Sequence, residues 1–197
     1  MVPSVNDEEE TPAAVPDPTA PGPLAGARQS EVRPALESLE SLGDGRVVVD
    51  QMHELIRSSR FFSEFTVGDV DFLAQSLEAY RAQQGQIIIR EGAVDDYMLL
   101  VISGHVEIAK RSGESSLKSM MLVGPGATVG EMSMIDGEPR AAFCIAAEPV
   151  TVAVLRRDAM VRVMLEQPSV GAKVLIKLVA MLSERLRQAG ASLSLYC

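Results

Sequence analysis

The sequence predicts a mainly β fold, a small jelly-roll-like β-roll (a double-stranded β-helix) with N-terminal helices and a long C-terminal helix. Three observations support this prediction. Short runs rich in β-branched and aliphatic residues, separated by glycines, occupy the middle of the chain, and helical spacing is confined to the regions on either side. A hydrophobic content of 47% in 197 residues is sufficient for one core, which Val, Leu, Ile and Met must fill because only 4% of the residues are aromatic.

Residues 1–34 have the composition of a disordered tail. They contain seven of the eleven prolines and an acidic run at residues 7–10. Such a segment buries too little apolar surface to offset the entropy lost on ordering. We therefore expect an acidic, Pro-rich disordered tail that serves either as a plain linker or as a partner-binding segment.

Helical patterns precede the predicted strands. Residues 35–47 are expected to form a short helix and a linker, because apolar residues recur every three positions, at Leu36, Leu39 and Leu42, until glycines interrupt. Two further helices are expected over residues 47–56 and around residues 70–77, where apolar residues again follow helical spacing.

Strand-like runs then follow one another at short intervals. Six runs are predicted, over residues 86–90, 97–102, 105–110, 117–123, 143–147 and 150–155. Short strands separated by glycine turns are typical of an antiparallel sandwich or roll, whereas alternating strand and helix patterns would indicate a parallel sheet.

Two helices are predicted after the last strand. The first is expected over residues 159–166 with Asp158 as its cap, and the second begins at Pro168 and runs to about residue 191. One stripe of the second helix is expected to pack on the roll, and it consists of Val170, Val174, Leu178 and Met181. A second stripe has the heptad spacing of a two-stranded coiled coil, and it consists of Leu175, Val179, Leu182, Leu186, Ala189 and Leu193. We expect a homodimer through this helix, and the alternative is a single wide stripe that faces the core.

The composition also excludes several classes of protein. A formal net charge of −9 opposes nonspecific binding to nucleic acid. The two cysteines and two histidines lack the number and spacing of a disulfide framework or a metal site. The acidic start does not resemble a secretory signal and no apolar run approaches a membrane span, so we expect a cytoplasmic protein that does not contact membranes. No nucleophile motif is present, and we expect no enzymatic activity.

The residues from Gly130 to Ala142 indicate a binding site. A guanidinium such as that of Arg140 stays charged and can donate two parallel hydrogen bonds to a phosphate. The carboxylate of Glu131 only accepts hydrogen bonds, and sugar hydroxyls are suitable donors for it. Together with the close backbone approach that Gly130 permits, these residue types predict a pocket for a cyclic nucleotide. The alternative is a plain turn in which Glu131 and Arg140 form a surface salt bridge.

The spacing of this segment also resembles a known family. Gly130-Glu131-x-x-x-x-x-Gly137-x-Pro139-Arg140-Ala141-Ala142 is similar to the phosphate-binding cassette of cyclic nucleotide-binding domains, which occur in cAMP receptor proteins, kinase regulatory subunits and gated channels. Turn residues elsewhere also fall where the β-roll of this family has its turns, at Gly85, Glu91-Gly92, Ser103-Gly104 and Gly124-Pro125-Gly126. The resemblance implies a cyclic nucleotide-binding domain over residues 48–192, followed by a short C-terminal tail at 193–197.

The resemblance implies a role for each cassette residue. Glu131 would bind the ribose 2′-hydroxyl and Arg140 the cyclic phosphate, with the amides of Met132 and Ala141 assisting. Ser133 would add a hydroxyl donor, and Gly130 and Ala142 would complete the ligand-binding set. Because Ala141 lacks a hydroxyl for the guanine amino group, cAMP is expected as the ligand, with cGMP as a weaker possibility. No cofactor, metal or catalytic residue is implied.

The resemblance has one departure and leaves alternatives open. Transcription factors of this family follow the long helix with a helix-turn-helix, whereas this chain stops at Cys197, so we expect no direct binding to DNA. The leading hypothesis is a cAMP sensor that transmits binding through its C-terminal helices to a dimer interface or to an unknown protein partner. The alternatives are a ligand-independent interaction module with a vestigial pocket and a relative of transcription regulators that lacks the DNA-binding domain.

Overall fold

The computed structural model describes the backbone of residues 35–112 and 116–194, and side chains up to residue 188. The disordered tail expected at 1–34 and the last residues, 195–197, lie outside the described residues. The predicted domain boundaries at residues 48 and 192 stay predictions.

Nine strands and five α-helices make up the described fold. The strands are β1 (Glu40–Asp44), β2 (Glu78–Ala82), β3 (Ile87–Ile89), β4 (Tyr97–Ser103), β5 (Val106–Arg111), β6 (Leu117–Val123), β7 (Thr128–Val129), β8 (Phe143–Ala146) and β9 (Val150–Arg156). The helices are α1 (Val49–Ser58), α2 (Val67–Ala74), α3 (Glu131–Asp136), α4 (Arg157–Glu166) and α5 (Pro168–Ser194).

The strands form two antiparallel sheets. One has five strands in the order β1-β2-β9-β4-β7, and the other has four strands in the order β3-β8-β5-β6. Helices flank the sheets, and the long helix α5 is the last element. The predicted class, a β-roll with N-terminal helices and a long C-terminal helix, is therefore confirmed.

Strands β4 and β9 are buried on both faces. Along β4, Tyr97, Leu99 and Val101 point into the core between the two sheets. The alternating residues Met98, Leu100 and Ile102 point into a second core that the helices share. Because successive side chains of a strand point to opposite faces, a strand covered on both sides is apolar at every position. This burial explains why the sequence shows continuous apolar runs here.

Helix α5 packs against the second core through one stripe. Val170, Val174 and Leu178 are buried there, and Met181 is partly buried against the same cluster, as the sequence predicts. Burial of each such aliphatic side chain stabilises the fold by about 1.5–3 kcal/mol. Ion pairs add to this contact, and they join Lys173 to Asp69 at 2.5 Å and Lys177 to Glu64 at 2.6 Å.

Several predicted elements differ from the structure. The helix expected within residues 35–47 is only a four-residue 3-10 helix, Ala35–Ser38, because the chain then extends as β1 and pairs with β2. Helix α4 begins at Arg157, so Asp158 lies in its first turn and is not the cap. Helix α5 continues to Ser194, past the predicted end near residue 191.

Strand β6 is an exposed edge. Within the described residues its one partner strand is β5. Four large apolar side chains of β6 are exposed, and they are Leu117, Met120, Met121 and Leu122. Among the described residues, no helix combines the length and the apolar character needed to cross a bilayer.

Two glycines in the left-handed region provide a test of the turns. Gly104 has φ +76°, and a Cβ there would lie 2.5 Å from the carbonyl oxygen of Pro149. Gly85 has φ +81° with no atom near its Cβ position. We expect Gly85→Ala to lower the free energy of unfolding by about 1–2 kcal/mol, from backbone strain alone. Gly104→Ala should lower the free energy of unfolding by about 1 kcal/mol more than Gly85→Ala does, because the main chain must move to make room for the Cβ. Urea unfolding of both variants measures the difference, and equal losses would contradict the close contact.

Candidate functional site

The segment between β7 and β8 turns twice through glycine. Gly130, with φ +80°, joins β7 to α3, and Gly137, with φ +79°, ends α3. A Cβ on Gly130 would lie 2.6 Å from Nη1 of Arg140 and 2.8 Å from Cδ1 of Ile89. Only glycine therefore permits the chain to approach Arg140 this closely.

Arg140 is a buried cation with fixed geometry. Only 3% of its surface is exposed. Its Nη1 donates to the carbonyl of Gly130 and its Nη2 to the carbonyl of Tyr97, both at 2.7 Å, and its Nε donates to Asp95 at 3.3 Å. The guanidinium also lies 4.4 Å from the ring centroid of Tyr97. Because a guanidinium has five N–H groups, these contacts with described residues leave two donors for an anion.

Glu131 is a buried carboxylate with one oxygen in use. Its surface is 2% exposed, and its Oε1 accepts a short hydrogen bond from Arg185 of α5. Its Oε2 is the one buried side-chain oxygen or nitrogen of the described residues that has no hydrogen-bond partner. Burial raises the pKa of Glu131 above its usual value, and the nearby charges of Arg185 and Arg140 oppose this shift.

Arg185 and Asp95 belong to this site although the sequence analysis does not identify them. Arg185 also donates from Nη2 to the carbonyl of Thr128 at 2.7 Å, so α5 is attached to both β7 and α3. For Arg185, the sequence offers one indication, because this charged residue lies between Leu182 and Leu186 of the apolar stripe. Asp95 gives no signal, because its partner Arg140 lies 45 residues further along the chain.

A third arginine, Arg157, contacts the second half of α3. Its Nε donates to the carbonyl of Met134 at 2.5 Å and its Nη2 to the carbonyl of Ser133 at 3.0 Å. The Ser133 carbonyl also accepts the backbone N–H of Gly137 at 3.0 Å, and the Met134 carbonyl lies in the last turn of α3, where a helix lacks internal donors. Arg157 therefore fixes the position of α3 below the cavity without lining that cavity itself.

The predicted site residues surround one cavity of about 140 Å³. All seven predicted ligand-binding residues line it, and they are Gly130, Glu131, Met132, Ser133, Arg140, Ala141 and Ala142. The remaining wall is Arg185 together with apolar residues and a thiol, namely Ile89, Ile108, Val129 and Cys144. Burial raises the pKa of Cys144 to about 12, so the thiol is neutral and acts as part of an apolar wall.

The alternative of a surface salt bridge between Glu131 and Arg140 is wrong. Both side chains are buried, and each has another partner, Arg185 for Glu131 and Asp95 for Arg140. The two residues thus contribute a separately held anion and cation to one cavity.

Other parts of the surface lack this arrangement. A larger cavity of about 540 Å³ is lined by Asp95, Tyr97 and Arg157 among others, but by none of the seven predicted residues. The described residues contain no group of three or more potential metal ligands. The cavity therefore combines one buried cation, Arg140, with one buried carboxylate oxygen, Oε2 of Glu131, that has no partner among the described residues.

Known proteins share this fold. The family model described as cyclic nucleotide-binding domain matches residues 80–167. A crystal structure of a cyclic nucleotide-binding domain from Methylobacillus flagellatus is 34% identical, with a TM-score of 0.70, over 80% of this chain and 88% of that one.

Two curated relatives are also similar. The CRP-like cAMP-activated global transcriptional regulator of Mycobacterium tuberculosis is 24% identical over 143 residues, which are 73% of this chain and 62% of the regulator. The cAMP-dependent protein kinase regulatory subunit of Aspergillus fumigatus is 37% identical over 92 residues, which are 47% of this chain and 22% of the subunit. The chain thus spans less than two thirds of the length of these relatives.

The fold and the cavity define a β-roll in which the segment from Gly130 to Ala142 and the long helix α5 line one cavity. The match to the Methylobacillus domain extends over most of both chains. This chain belongs to the cyclic nucleotide-binding domain family.

The raised pKa of Glu131 predicts a pH dependence of stability. The folded protein holds this proton more tightly than the unfolded chain, so the group stabilises the fold below about pH 4.3 and loses this effect as pH rises through the raised pKa. The substitution Glu131→Gln removes the carboxyl that titrates. We expect the variant to gain stability relative to the parent as pH increases from 4.5 to 7.5, roughly, in urea unfolding. Parallel stability curves would contradict the shift.

Proposed function

We propose that this chain is a sensor of cyclic nucleotides that binds cAMP through Arg140 and Glu131. The observation that carries the proposal is the free Oε2 of Glu131, a buried acceptor in the same cavity as Arg140. A buried polar atom without a partner costs about 1–3 kcal/mol, and a ligand hydroxyl that donates to it removes this cost.

The two charged groups fit the two polar parts of such a ligand. Two N–H groups of Arg140 remain for the phosphate of the ligand. Charge-assisted hydrogen bonds to phosphate are among the stronger ones in proteins. Glu131 offers Oε2 to the ribose 2′-hydroxyl, while Arg185 holds Oε1 and orients the carboxylate. The hydroxyl of Ser133, which makes no hydrogen bond to described residues, is a further donor for the phosphate.

Two observations favour cAMP over cGMP. Ala141 lines the cavity and supplies no hydroxyl for a guanine amino group. Both curated relatives carry cAMP in their names. The site offers no hydrogen bond to the guanine amino group, but it does not exclude guanine. We therefore expect the affinity for cAMP to exceed that for cGMP by only about tenfold to a hundredfold.

The signal is proposed to leave through α5. Arg185 connects this helix directly to the carboxylate that meets the ribose. Ligand shifts the position of α5 only if its affinity differs between two arrangements of the helix, and a change in the contacts of Glu131 supplies such a difference. We propose a regulatory role in the cytoplasm, without catalytic activity and without direct binding to DNA.

Substitution of Arg140 tests the ligand site. We expect Arg140→Gln to lower the affinity for cAMP by at least about thirtyfold, or about 2 kcal/mol, because the phosphate loses its charge partner. Isothermal titration after denaturation and refolding, which removes nucleotide carried from expression, gives the dissociation constant. Arg162→Gln, an exposed arginine on α4, is the matched control and should bind as the parent does. Circular dichroism confirms that both variants are folded. Unchanged binding by Arg140→Gln would show that the site is misassigned.

A homodimer through α5 is proposed from the exposed stripe. Val179 is 61% exposed and Leu186 is 74% exposed, whereas Leu175 packs partly buried against the helical core. The side chains of Ala189 and Leu193, which complete the predicted stripe, lie outside the described residues. We expect sedimentation at about 50 μM to give a dimer mass for the parent and a monomer mass for the double variant Val179→Glu/Leu186→Glu, because charges would enter an apolar seam. Leu165→Glu, exposed on α4 outside the stripe, is the control. A monomeric parent would remove the proposal.

One observation favours a second candidate function. The cavity of about 140 Å³ is smaller than the pockets of about 300 Å³ or more that usually hold small ligands. A cavity of this small volume fits an interaction module that binds no ligand. Titration with cAMP and cGMP separates the two functions, since the module binds neither nucleotide.

A further inference from the structure

We propose that four cations at one end of the four-stranded sheet attract the anionic ligand toward the cavity. They are Arg90, Lys110, Arg111 and Lys118, and we call this surface the basic entrance. The inference rests on the proposed function, since it concerns how a cyclic nucleotide reaches the site. It assigns these residues to the rate of association and not to contacts in the bound state.

The basic entrance adjoins the cavity on three strands. Arg90 directly follows Ile89, and Lys110 lies two residues after Ile108 on β5, and both isoleucines line the cavity. The guanidinium of Arg111 lies 5.7 Å from the ring centroid of Phe143, the residue after Ala142 of the cavity wall. Lys118 lies opposite Lys110 in the register of β5 and β6.

No described side chain forms an ion pair with the charges of the basic entrance; Glu114, between Arg111 and Lys118 in the sequence, lies outside the described residues. All four residues are exposed, and none forms a salt bridge with another described residue. The Glu91 carboxylate is close, because it accepts the backbone N–H of Arg111 at 2.8 Å. Among the described residues, four positive charges and one negative charge are thus grouped here. Other lysines, such as Lys173 and Lys177, have a carboxylate partner at 2.5–2.6 Å.

The pairing of Lys110 with Lys118 has no benefit for folding. Like charges directly opposite each other destabilise an antiparallel pair. An acidic residue at either position would stabilise the hairpin, yet the chain carries two lysines. A binding role for the positive charge explains an arrangement that strand pairing alone disfavours.

The net charge of the chain makes a local attraction necessary. A formal charge of −9 repels a cyclic nucleotide, which carries one negative charge. A cluster of one sign beside a cleft focuses the field and raises the association rate constant. Such charges act mainly on association and on its salt dependence, whereas contacts in the bound state act on dissociation.

Stopped-flow binding of a fluorescent cAMP analogue with an unmodified phosphate tests the basic entrance. The double variant Lys110→Gln/Lys118→Gln is compared with Arg57→Gln/Arg162→Gln, which removes the same charge from α1 and α4. Coulomb's law in water gives about a twofold effect for each charge at about 10 Å, so we expect the association rate constant of the first variant to fall about fourfold at 10 mM salt. The difference should disappear near 1 M salt, where the screening length is only about 3 Å.

The outcomes separate this inference from the function on which it rests. A slower association with unchanged dissociation, the same loss for a cGMP analogue and no change in the control support the basic entrance. Unchanged association, or a loss confined to the dissociation rate, overturns it while binding itself persists. If the parent binds neither analogue, the proposed function and this inference fail together.

Discussion

The buried guanidinium of Arg140 is the interaction on which the rest of the site depends. It joins three parts of the chain that are distant in sequence, the start of β4, the turn at Gly130 and the segment before β8. A cation removed from water requires acceptors on most of its N–H groups, and the carbonyls of Gly130 and Tyr97 together with Asp95 provide them. Gly130 and its left-handed turn bring one of these carbonyls to Arg140, and the start of β4 brings another.

Helix α5 completes the site through Arg185 in its second half. Arg185 neutralises Glu131 from this helix, while the buried stripe and the ion pairs to Asp69 and Glu64 hold the first half of the helix against the helical layer. The carboxylate is thus shared between the ligand position and the part of the chain that carries the proposed output. A domain that binds and signals needs such a shared group, because a ligand without differential contacts changes no equilibrium.

The sequence predicted the long elements and the cassette but not their supports. Strands β4 and β9 were recognisable because burial on both faces makes every position apolar. Strand β2 was missed because Glu78, Ala79 and Arg81 have low strand propensity, and its conformation comes from pairing with β9. The cassette residues lie within thirteen positions, where spacing carries information. Arg185 acts 54 residues from Glu131, a separation at which one sequence contains no sign of contact.

Strand β4 has a consequence for how the two halves of the molecule influence each other. Its odd-numbered side chains form the wall between the sheets, its even-numbered ones form the floor of the helical layer, and its first residue supplies a carbonyl to Arg140. Strand β4 is therefore close-packed on both faces. Because protein interiors are close-packed, a displacement of Met98 or Leu100 by the helices would have to be accommodated by the same strand whose Tyr97 carbonyl holds Arg140.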